Sequence, residues 1–378
     1  MKSNQLSNMK ILFVSTNDWV PWGGSEDLWY KTAILLKKKG LNIHISVKEW
    51  NGTPKHILEL KKVGCTVHFR NNTGVSGFFK KIIKRIFSQK KLEISLIEII
   101  SPDLVVINQG SLNGGMDWGR ACQAAKIPYT FIVQLVHELN VWEDSIVQEI
   151  NSVFTSARVV YFVSKQNKKI YESITGYKLT NSSVIRNPFK EITLIDYPDV
   201  NETFNIAFVA SLNSFHKGHD MLFEILRKEK WKLRKLSINL YGKGINEKTL
   251  KRLKETYSLE NINFMGFELD IEEIYRLNHA FILCSRMEGQ SLALIEAMYC
   301  GRVPIVTNVG GAEELITNGI DGFIAKSPNI IEIEENLDLA WSKRKDWKKM
   351  GEKARENLCK IIKCNPIEAF AEEIIKLI

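Results

Sequence analysis

Two glutamates separated by seven residues, Glu288 and Glu296, have the clearest chemical potential in this sequence. They lie in residues 284–301, which read as the end of an apolar strand, a turn at Glu288 and Gly289, and a helix that ends at Gly301. The helix leaves almost no polar face, so the pattern predicts a buried helix that carries one carboxylate in need of hydrogen-bond donors. Glu288 precedes the free amides of the first helical turn, where the helix dipole favours an anion. A ligand with both phosphate and sugar hydroxyls fits this pattern. The alternative is a structural salt bridge at Glu296 and a solvated loop at Glu288.

Glycines that precede helices mark two further candidate loops. Gly23 and Gly24 follow the first predicted strand, and their amides can approach a ligand closely. Lys217 stands beside Gly218 after a strand in the second half, where its point charge suits a phosphate. A Gly-Gly pair is also an ordinary turn, and most lysines are solvated, so neither loop identifies a site alone. The glycines at 242–244 are too close together for a dinucleotide fingerprint, and no P-loop pattern occurs.

Short β-branched runs alternate with amphipathic helices along the chain, which is typical of parallel βαβ units. The runs form two series. The first series lies at residues 10–16, 42–47, 66–69, 103–108, 129–133, 158–163 and 183–186. The second series lies at residues 205–210, 236–241, 262–264, 280–283 and 303–307. A polar linker is predicted at 196–203, and the chain is mostly helical after Pro328. Ligands of such sheets bind beyond the carboxyl ends of the strands, so we expect two facing domains with a cleft between them.

Composition narrows the class of protein. The chain has 378 residues, of which 44% are hydrophobic and 25% charged, as in a soluble protein of two domains. No apolar run is long enough to span a membrane, and the first nine residues do not form a secretory signal. The six cysteines show no CxxC pair, which argues against a zinc site and a disulfide framework and favours the cytoplasm. The net charge of +9 favours an anionic partner.

The chain resembles the family-4 retaining glycosyltransferases of GT-B architecture. Residues Glu288 to Gly301 are similar to the E-x(7)-E element of that family and the EAM-x-x-G that follows it. Weaker similarities lie at Gly23–Glu26, Ser164, Asn187–Pro188, Lys217–Gly218, 303–316 and 321–323. The resemblance therefore covers nearly the whole chain and is weakest between residues 45 and 100.

The resemblance implies an α/β fold of two facing Rossmann-like domains, with a nucleotide-sugar bound in the cleft between them. Residues 1–190 would form an acceptor-binding domain, and residues 191–363 would form the nucleotide-sugar-binding domain. The C-terminal helix at 364–378 would pack back on the N-terminal domain. Sugar transfer with retention would follow, to a glycan or lipid-linked acceptor of cell-surface polysaccharide or glycolipid biosynthesis.

The resemblance also implies a role for each candidate residue. Glu296 would accept hydrogen bonds from the ribose hydroxyls, and Glu288 would contact the donor sugar. Lys217 would neutralise the charge that grows on the leaving nucleoside diphosphate. The amides of 289–291 would hold the diphosphate, and the paired glycines would line it from the other domain. The implied donor-binding residues are Gly23, Gly24, Ser211, Lys217, Gly289, Gln290, Ser291 and Glu296. The implied catalytic residues are His137, Lys217 and Glu288.

His137 ends the predicted strand region 129–136 and matches a histidine that relatives place near the reacting sugar. The alternative is that its ring is hydrogen-bonded locally. Relatives need no obligatory metal, and this chain has no Asp-x-Asp motif. We therefore expect no metal and no cofactor, because the nucleotide-sugar is a substrate.

Ser211 is a departure from the family pattern. Relatives commonly carry an arginine six residues before the motif lysine, and the two cations grip the diphosphate together. Loss of one charged hydrogen bond costs about 1.5–3 kcal/mol, so donor binding or turnover is expected to be weaker unless another cation substitutes. Arg286 is a candidate substitute, although it could equally be a surface residue. The departure favours an alternative function, a weakly active glycosyltransferase-like subunit that supports a partner enzyme.

Residues 78–91 form the clearest candidate contact with an acceptor in a membrane. Their apolar residues recur on one helical face and six Lys or Arg residues occupy the other, which is typical of an interfacial helix on anionic lipid. The alternative is a helix packed on the sheet with a solvated basic face. The membrane interpretation predicts a cytoplasmic protein that docks peripherally at the inner face of the membrane.

Two other classes of protein fit less well. A nucleic-acid-binding protein would suit the positive charge, but the sequence has no recognised module for it, so no nucleic-acid partner is expected. A Rossmann oxidoreductase needs GxGxxG after the first strand, and the sequence around Gly23 does not supply it.

Overall fold

A computed structural model of the protein describes residues 8–70, 89–190, 192, 195–199, 202–362 and 365–378, and the side chains at 89–92 are not described. The described residues divide into two compact units. Unit 1 comprises the described residues up to Pro188 together with those of the C-terminal segment from 365. Unit 2 comprises the described residues from Phe189 to Ile362. The first boundary falls two residues before the one expected at 190.

Unit 1 is built on a seven-stranded sheet in which every pair of neighbouring strands is parallel. Its strands are β1 (Lys10–Ser15), β2 (Asn42–Lys48), β3 (Thr66–Arg70), β4 (Leu104–Gln109), β5 (Tyr129–Val133), β6 (Val160–Phe162) and β7 (Ser182–Val184). The order in the sheet is β3-β2-β1-β4-β5-β6-β7. All residues of β4 and β5 are buried, as expected for central strands covered on both faces.

Helices cover both faces of this sheet. They are α1 (Asp27–Lys38), α2 (Lys55–Lys62), α3 (Gln89–Ile100), α4 (Met116–Ala125), α5 (Asp144–Thr155), α6 (Lys165–Thr175) and α15 (Pro366–Leu377). The last of these, α15, belongs to unit 1 although it follows all of unit 2 in the chain. Its residues Phe370, Ala371 and Ile374 are fully buried in the same core cluster as Trp29 of α1.

Unit 2 is built on a six-stranded parallel sheet in the order β10-β9-β8-β11-β12-β13. Its strands are β8 (Phe204–Val209), β9 (Leu236–Tyr241), β10 (Ile262–Gly266), β11 (Ala280–Leu283), β12 (Val303–Thr307) and β13 (Phe323–Ala325). Its helices are α7 (Ser214–Lys217), α8 (His219–Leu226), α9 (Glu229–Lys232), α10 (Glu247–Thr256), α11 (Ile271–Arg276), α12 (Leu292–Tyr299), α13 (Ile330–Ser342) and α14 (Trp347–Ile361). The α/β class with two parallel sheets is therefore confirmed. The short edge strand β13 is absent from the sequence-based prediction.

Each sheet reverses its strand order at one point. In unit 1 the chain moves outward from β1 to β2 and β3 and then returns to the other side of β1 with β4. In unit 2 it moves from β8 to β9 and β10 and returns with β11. The loops after β1 and β4, and those after β8 and β11, therefore diverge at the carboxyl edge, where open α/β sheets bind ligands. The paired glycines follow β1, while Lys217 follows β8 and Glu288 follows β11.

Candidate active site

Lys217 and Glu288 form an ion pair at the carboxyl edge of the unit 2 sheet. The Lys217 Nζ lies 2.6 Å from the Glu288 Oε1, and the same oxygen accepts a hydrogen bond of 2.7 Å from the Ser285 Oγ. The side chains are only 23% and 10% exposed, so the pair is largely shielded from bulk water. Two residues 71 positions apart in sequence are thus brought together at the strand-order reversal.

Gly218 makes this contact sterically possible. Its φ of +71° is in the left-handed region, and a Cβ built there would lie 2.0 Å from the carbonyl oxygen of Cys284. Only glycine fits between the end of β11 and the segment after β8 that carries Lys217, called the lysine loop below. Beside it, the Arg286 N–H donates a 2.8 Å hydrogen bond to the carbonyl of His216. The backbone of one loop therefore fixes the other, and Lys217 is held at Glu288.

A third loop, after β12, closes around Glu288. Gly310 has a φ of +63°, and a Cβ at this position would lie 2.5 Å from the Cβ of Glu288. The Thr307 Oγ1 donates a 2.6 Å hydrogen bond to the carbonyl of Ser285. Loops from three strands therefore position one carboxylate, which is more support than a solvated loop glutamate has.

The start of α12 follows Glu288 directly. Ser291 is the N-cap residue, and its hydroxyl accepts a hydrogen bond of 3.3 Å from the Leu294 N–H. Gly289 is half-buried and Gln290 is 7% exposed. Gly289, Gln290 and Ser291 therefore lie beside the ion pair, at the positive end of the helix dipole.

The prediction of a buried helix holds for only one side of α12. The buried residues of the helix are Leu294, Ile295, Ala297 and Met298. The half-buried residues are Leu292, Ala293, Glu296 and Tyr299. The second set is spaced as one face of a helix, so Glu296 lies on a side that is half open instead of inside the core. Glu296 therefore remains partly accessible, one helical turn after Leu292.

Arg286 is an unfavourable substitute for the arginine that Ser211 replaces. Its guanidinium binds both carboxylate oxygens of Asp220, at 2.9 and 2.7 Å, and donates a 2.9 Å hydrogen bond to the Ser214 carbonyl. Burial alone would raise the pKa of Asp220, but the hydrogen bonds and charge of Arg286 lower it below its ordinary value. Arg286 therefore links the lysine loop to α8, and both of its terminal nitrogens already donate hydrogen bonds.

Lys243 is a cation near Ser211 to which sequence reasoning gave no role. The Leu212 N–H donates a 3.1 Å hydrogen bond to the Lys243 carbonyl, so the loop after β9 runs beside the loop that contains Ser211. Gly242 lies against it so closely that a Cβ would be 1.9 Å from the Ala210 carbonyl oxygen. The Lys243 side chain is exposed. The signal in the sequence was a lysine between two glycines at a strand end.

In unit 1, Gly23 and Gly24 lie between β1 and α1. Gly23 has an extended φ of −152°, and a Cβ there would meet nothing closer than 3.8 Å. Gly24 begins a short 3-10 turn and is exposed. The fold itself therefore does not require glycine at position 23, unlike at position 218.

Glu26, at the end of that turn, is a buried residue that sequence reasoning passed over. It is 3% exposed, and its carboxylate accepts hydrogen bonds from Trp29 Nε1 at 2.8 Å and Asn108 Nδ2 at 3.1 Å. The chain of hydrogen bonds continues from Gln134 Nε2 to Asn108 Oδ1 and from Asn187 Nδ2 to Gln134 Oε1. Burial raises the pKa of Glu26, while hydrogen bonds from Ser15 and Trp29 oppose that rise. The network ties the carboxyl ends of β1, β4 and β5 together.

His137 lies in the loop after β5 and is half-buried. Its Nδ1 accepts a hydrogen bond of 3.2 Å from the Leu139 N–H, so a neutral ring carries its proton on Nε2. Its own N–H donates to the Asn140 Oδ1 at 3.2 Å. The local hydrogen bonding considered from the sequence is therefore present, and it fixes the tautomer of the ring.

The structure brings together one part of the predicted set. Lys217, Glu288 and the residues at 289–291 are adjacent in unit 2, with Glu296 further along the same helix and Ser211 at the start of the lysine loop. Gly23, Gly24 and His137 belong to unit 1. The predicted interfacial segment lies outside the described residues at 78–88 and, for its side chains, at 89–91.

The described part of the chain contains neither a cluster of metal ligands nor a helix suited to cross a membrane. No three His, Cys, Asp or Glu side chains there are grouped so that they could hold a metal ion. None of the helices described has the length and apolarity to cross a bilayer.

Comparison with known proteins gives a family match to unit 2. Residues 195–357 match the family described as Glycosyl transferases group 1. An uncharacterized glycosyltransferase of Haemophilus influenzae is 29% identical over 156 residues, which are 41% of this chain and 44% of that protein. A putative glycosyltransferase, EpsD, of Bacillus subtilis is 25% identical over 172 residues, or 45% of each chain. The matches thus span less than half of these two relatives.

A longer match and a solved structure extend the comparison. The GtfA subunit of the UDP-N-acetylglucosamine--peptide N-acetylglucosaminyltransferase of Streptococcus parasanguinis is 24% identical over 266 residues, 68% of this chain and 52% of that protein. The crystal structure of Anabaena Alr3699/HepE in complex with UDP superposes with a TM-score of 0.74 at 16% identity, covering 97% of this chain and all of that one. The chain therefore carries a Glycosyl transferases group 1 domain at residues 195–357, in a GT-B-class fold of two parallel-sheet α/β domains.

Proposed function

We propose that this chain is a retaining glycosyltransferase of family 4. It moves a sugar from a nucleoside-diphosphate sugar to a glycan or lipid-linked acceptor in cell-surface polysaccharide or glycolipid biosynthesis. The observation that carries the proposal is the ion pair of Lys217 with Glu288, 2.6 Å apart on converging loops of the matched domain. The fold shared with a UDP-bound structure supports a nucleotide-sugar as the donor.

The pair has a chemical use in sugar transfer. A diphosphate is a stronger anion than one carboxylate, so a bound donor would draw the Lys217 ammonium toward its phosphates. As the bond to the sugar breaks, negative charge grows on the leaving diphosphate, and a lysine fixed by Gly218 stabilises that charge without reorganisation. Glu288 then accepts hydrogen bonds from hydroxyls of the sugar, and the amides at 289–291 face the phosphates.

The remaining roles complete the donor site. Glu296, on the half-open side of α12, accepts hydrogen bonds from the ribose hydroxyls. Gly23 and Gly24 leave room for the phosphates, and the Nε2–H of His137 faces the reacting sugar. No metal and no further cofactor enters this scheme. An acceptor in a membrane would be reached through the basic segment 78–91, and co-sedimentation with anionic vesicles at low salt tests that contact.

The first experiment is donor hydrolysis by the purified chain, with release of UDP measured from UDP-glucose, UDP-galactose and UDP-N-acetylglucosamine. Lys217→Ala and Glu288→Gln are each expected to lower kcat by about 100-fold or more, as when one transition-state hydrogen-bond donor is removed. Lys228→Ala is the matched control, because Lys228 forms an ion pair with Glu334 elsewhere in unit 2. Hydrolysis at the wild-type rate in both site variants would contradict the proposal.

A second candidate function is a weakly active subunit that supports a partner enzyme. Ser211 favours it, since Arg286 is committed to Asp220 and does not replace the missing cation. The similarity to a protein that is itself named as a subunit points the same way. This function predicts that UDP raises the melting temperature of the chain while donors are hydrolysed only slowly.

Lys243 distinguishes the two candidates. If the chain is an active enzyme that compensates for Ser211, the exposed Lys243 beside that loop is a structural candidate for the second cation. Lys243→Ala would then raise the KM for the donor by about tenfold, the effect of one charged hydrogen bond. In a weakly active subunit, Ser211→Arg would raise hydrolysis and Lys243→Ala would change nothing.

A further inference from the structure

Trp22 immediately precedes the paired glycines of the proposed donor site, and its ring contacts three other rings. Trp29 and Tyr30, both on α1, have ring centroids 5.8 and 5.2 Å from that of Trp22. The third ring, His56, belongs to α2 and stacks on Trp22, with centroids 4.2 Å apart and planes 11° apart. Of these three rings, only His56 ties the residue before the glycines to a separate helix.

Two side-chain hydrogen bonds accompany the stacked rings. The Trp22 Nε1 donates to the Asp27 Oδ1 at 3.3 Å. The Tyr30 hydroxyl donates to the Oε2 of Glu59, which lies three residues after His56 and therefore on the same face of α2. Neighbouring side chains of α2 thus hold both Trp22 and Tyr30, and the indole is fixed by its face and by its N–H.

His56 contributes the flat face of its ring to this contact. Its Nδ1 is buried and has no hydrogen-bond partner among the residues that the structure describes. Burial lowers the pKa of His56 below its ordinary value, against the opposing charges of Asp27 and Glu59, so the ring is neutral at pH 7. A phenyl ring at this position should therefore stack on Trp22 in the same way.

The paired glycines have little packing of their own. A Cβ built on Gly23 would meet no atom closer than 3.8 Å, and Gly24 is exposed. The segment after them is fixed, because the Ser25 carbonyl accepts a 2.9 Å hydrogen bond from the Gln134 Nε2. The position of the glycines therefore depends on what holds the residues on either side, and on the N-terminal side that residue is Trp22.

We propose that His56 is a positioning residue for the donor site. Through its stack on Trp22, it holds the loop of Gly23 and Gly24 in the conformation that receives the diphosphate. The inference rests on the proposed function, in which these glycines leave room for the phosphates. Because His56 acts through Trp22 and not on the reacting sugar, its loss weakens donor binding, which a pre-formed loop favours, and leaves the chemical step nearly unchanged.

The first measurement compares the KM and kcat of donor hydrolysis in the wild type, His56→Ala and His56→Phe. We expect His56→Ala to raise the KM by about tenfold, near the upper limit for one aromatic pair, and to change kcat by less than about twofold. His56→Phe keeps the stacked face and should bring the KM back to within about twofold of the wild-type value. An unchanged KM in His56→Ala, or a raised KM that His56→Phe does not restore, would overturn the proposal.

Controls separate the loop from the general stability of unit 1. Leu58→Ala is the matched control on α2, because the Leu58 side chain is 55% exposed, and it should leave the KM unchanged. If His56→Ala does not fold, His56→Leu takes its place, since leucine fills the space without a flat ring.

The second measurement needs no donor. Hydrogen exchange of the free chain, followed by mass spectrometry of peptides that include residues 19–26, reports how firmly the loop is held. The Glu26 N–H donates a 3.0 Å hydrogen bond to the Gly23 carbonyl, so its exchange follows the position of that glycine. It should exchange about tenfold faster in His56→Ala and at the wild-type rate in His56→Phe and Leu58→Ala.

Equal exchange in all of these proteins would overturn the proposal. If the wild type hydrolyses no donor, the proposed function fails, whereas faster exchange in His56→Ala would still show that His56 holds the loop.

Discussion

His219, two residues after the candidate catalytic lysine, allows a quantitative test of the packing in unit 2. Its side chain is 0% exposed, and its ring stacks on Phe208 with centroids 4.3 Å apart. Neither ring nitrogen has a hydrogen-bond partner among the described residues. The imidazole therefore serves as an apolar ring, and a phenyl ring should take its place in His219→Phe.

The pKa of His219 determines how strongly the free energy of unfolding depends on pH. Burial, assisted by the nearby charge of Lys217 and opposed by Asp220, lowers the pKa of His219 from 6.5 to about 4. The unfolded chain thus takes up a proton at this residue below pH 6.5, and the folded chain does so only near pH 4. The contribution of His219 to the free energy of unfolding is fully present above pH 6.5 and is lost as the pH falls toward 4. Since one pKa unit corresponds to about 1.4 kcal/mol, the total loss is about 3 kcal/mol.

The assay is urea unfolding of wild type and His219→Phe at pH 7.5 and pH 5, with the far-ultraviolet signal of the whole chain. Other titrating groups contribute equally to both proteins and cancel in the difference. We expect the variant to gain about 2 kcal/mol relative to wild type on going from pH 7.5 to pH 5. NMR titration of the histidine rings provides a direct check. An equal pH dependence in both proteins, or a His219 ring that titrates above pH 6, would refute the reasoning.

Two further predictions concern residues that shape the candidate sites. Gly218→Ala should lower the free energy of unfolding by about 2 kcal/mol or more, because the new Cβ combines a left-handed φ with a clash against the Cys284 carbonyl. Gly23→Ala is the matched substitution: urea unfolding should show a change within about 0.5 kcal/mol, with any loss confined to donor turnover. Unchanged stability in both variants would contradict the close approach at Gly218. Glu26→Gln should cost about 1–3 kcal/mol in the same assay, since an amide N–H₂ would face a hydrogen-bond donor of the buried network; a neutral result would show that the network is not required.

The strands could be predicted because their signals are local. Runs of β-branched residues bounded by glycine and polar turns located twelve of the thirteen strands that the structure describes. The remaining strand, β13, has only three residues, too few to show a period. Lys217 and Glu288 could each be singled out because each follows a predicted strand, but their ion pair depends on the adjacency of β8 and β11 in the sheet.

The rest depends on packing that no local pattern encodes. The half-open face of α12 arises from what packs against it, so the composition of the helix alone suggested complete burial. Glu26 looks like an ordinary acidic residue at the start of a helix, and its hydrogen-bonding partner Asn108 is 82 positions away. The contact of Lys243 with the Ser211 loop likewise crosses between two strands. To predict each of these features one must know how neighbouring elements pack and in which register, and no local sequence pattern encodes that.

The position of α15 in the chain has a consequence for synthesis on the ribosome. The core of unit 1 includes Phe370, Ala371 and Ile374, which the ribosome adds only after all of unit 2 has been made. Unit 2 is contiguous in sequence and can fold as soon as it emerges from the ribosome. The sheet and helices of unit 1 are made earlier, but the apolar surface that α15 covers stays exposed until the last residues are added. Unit 2 is therefore the first part of the protein that can reach its final packing. The surface of unit 1 that α15 later covers is the exposed apolar surface to which a chaperone would bind.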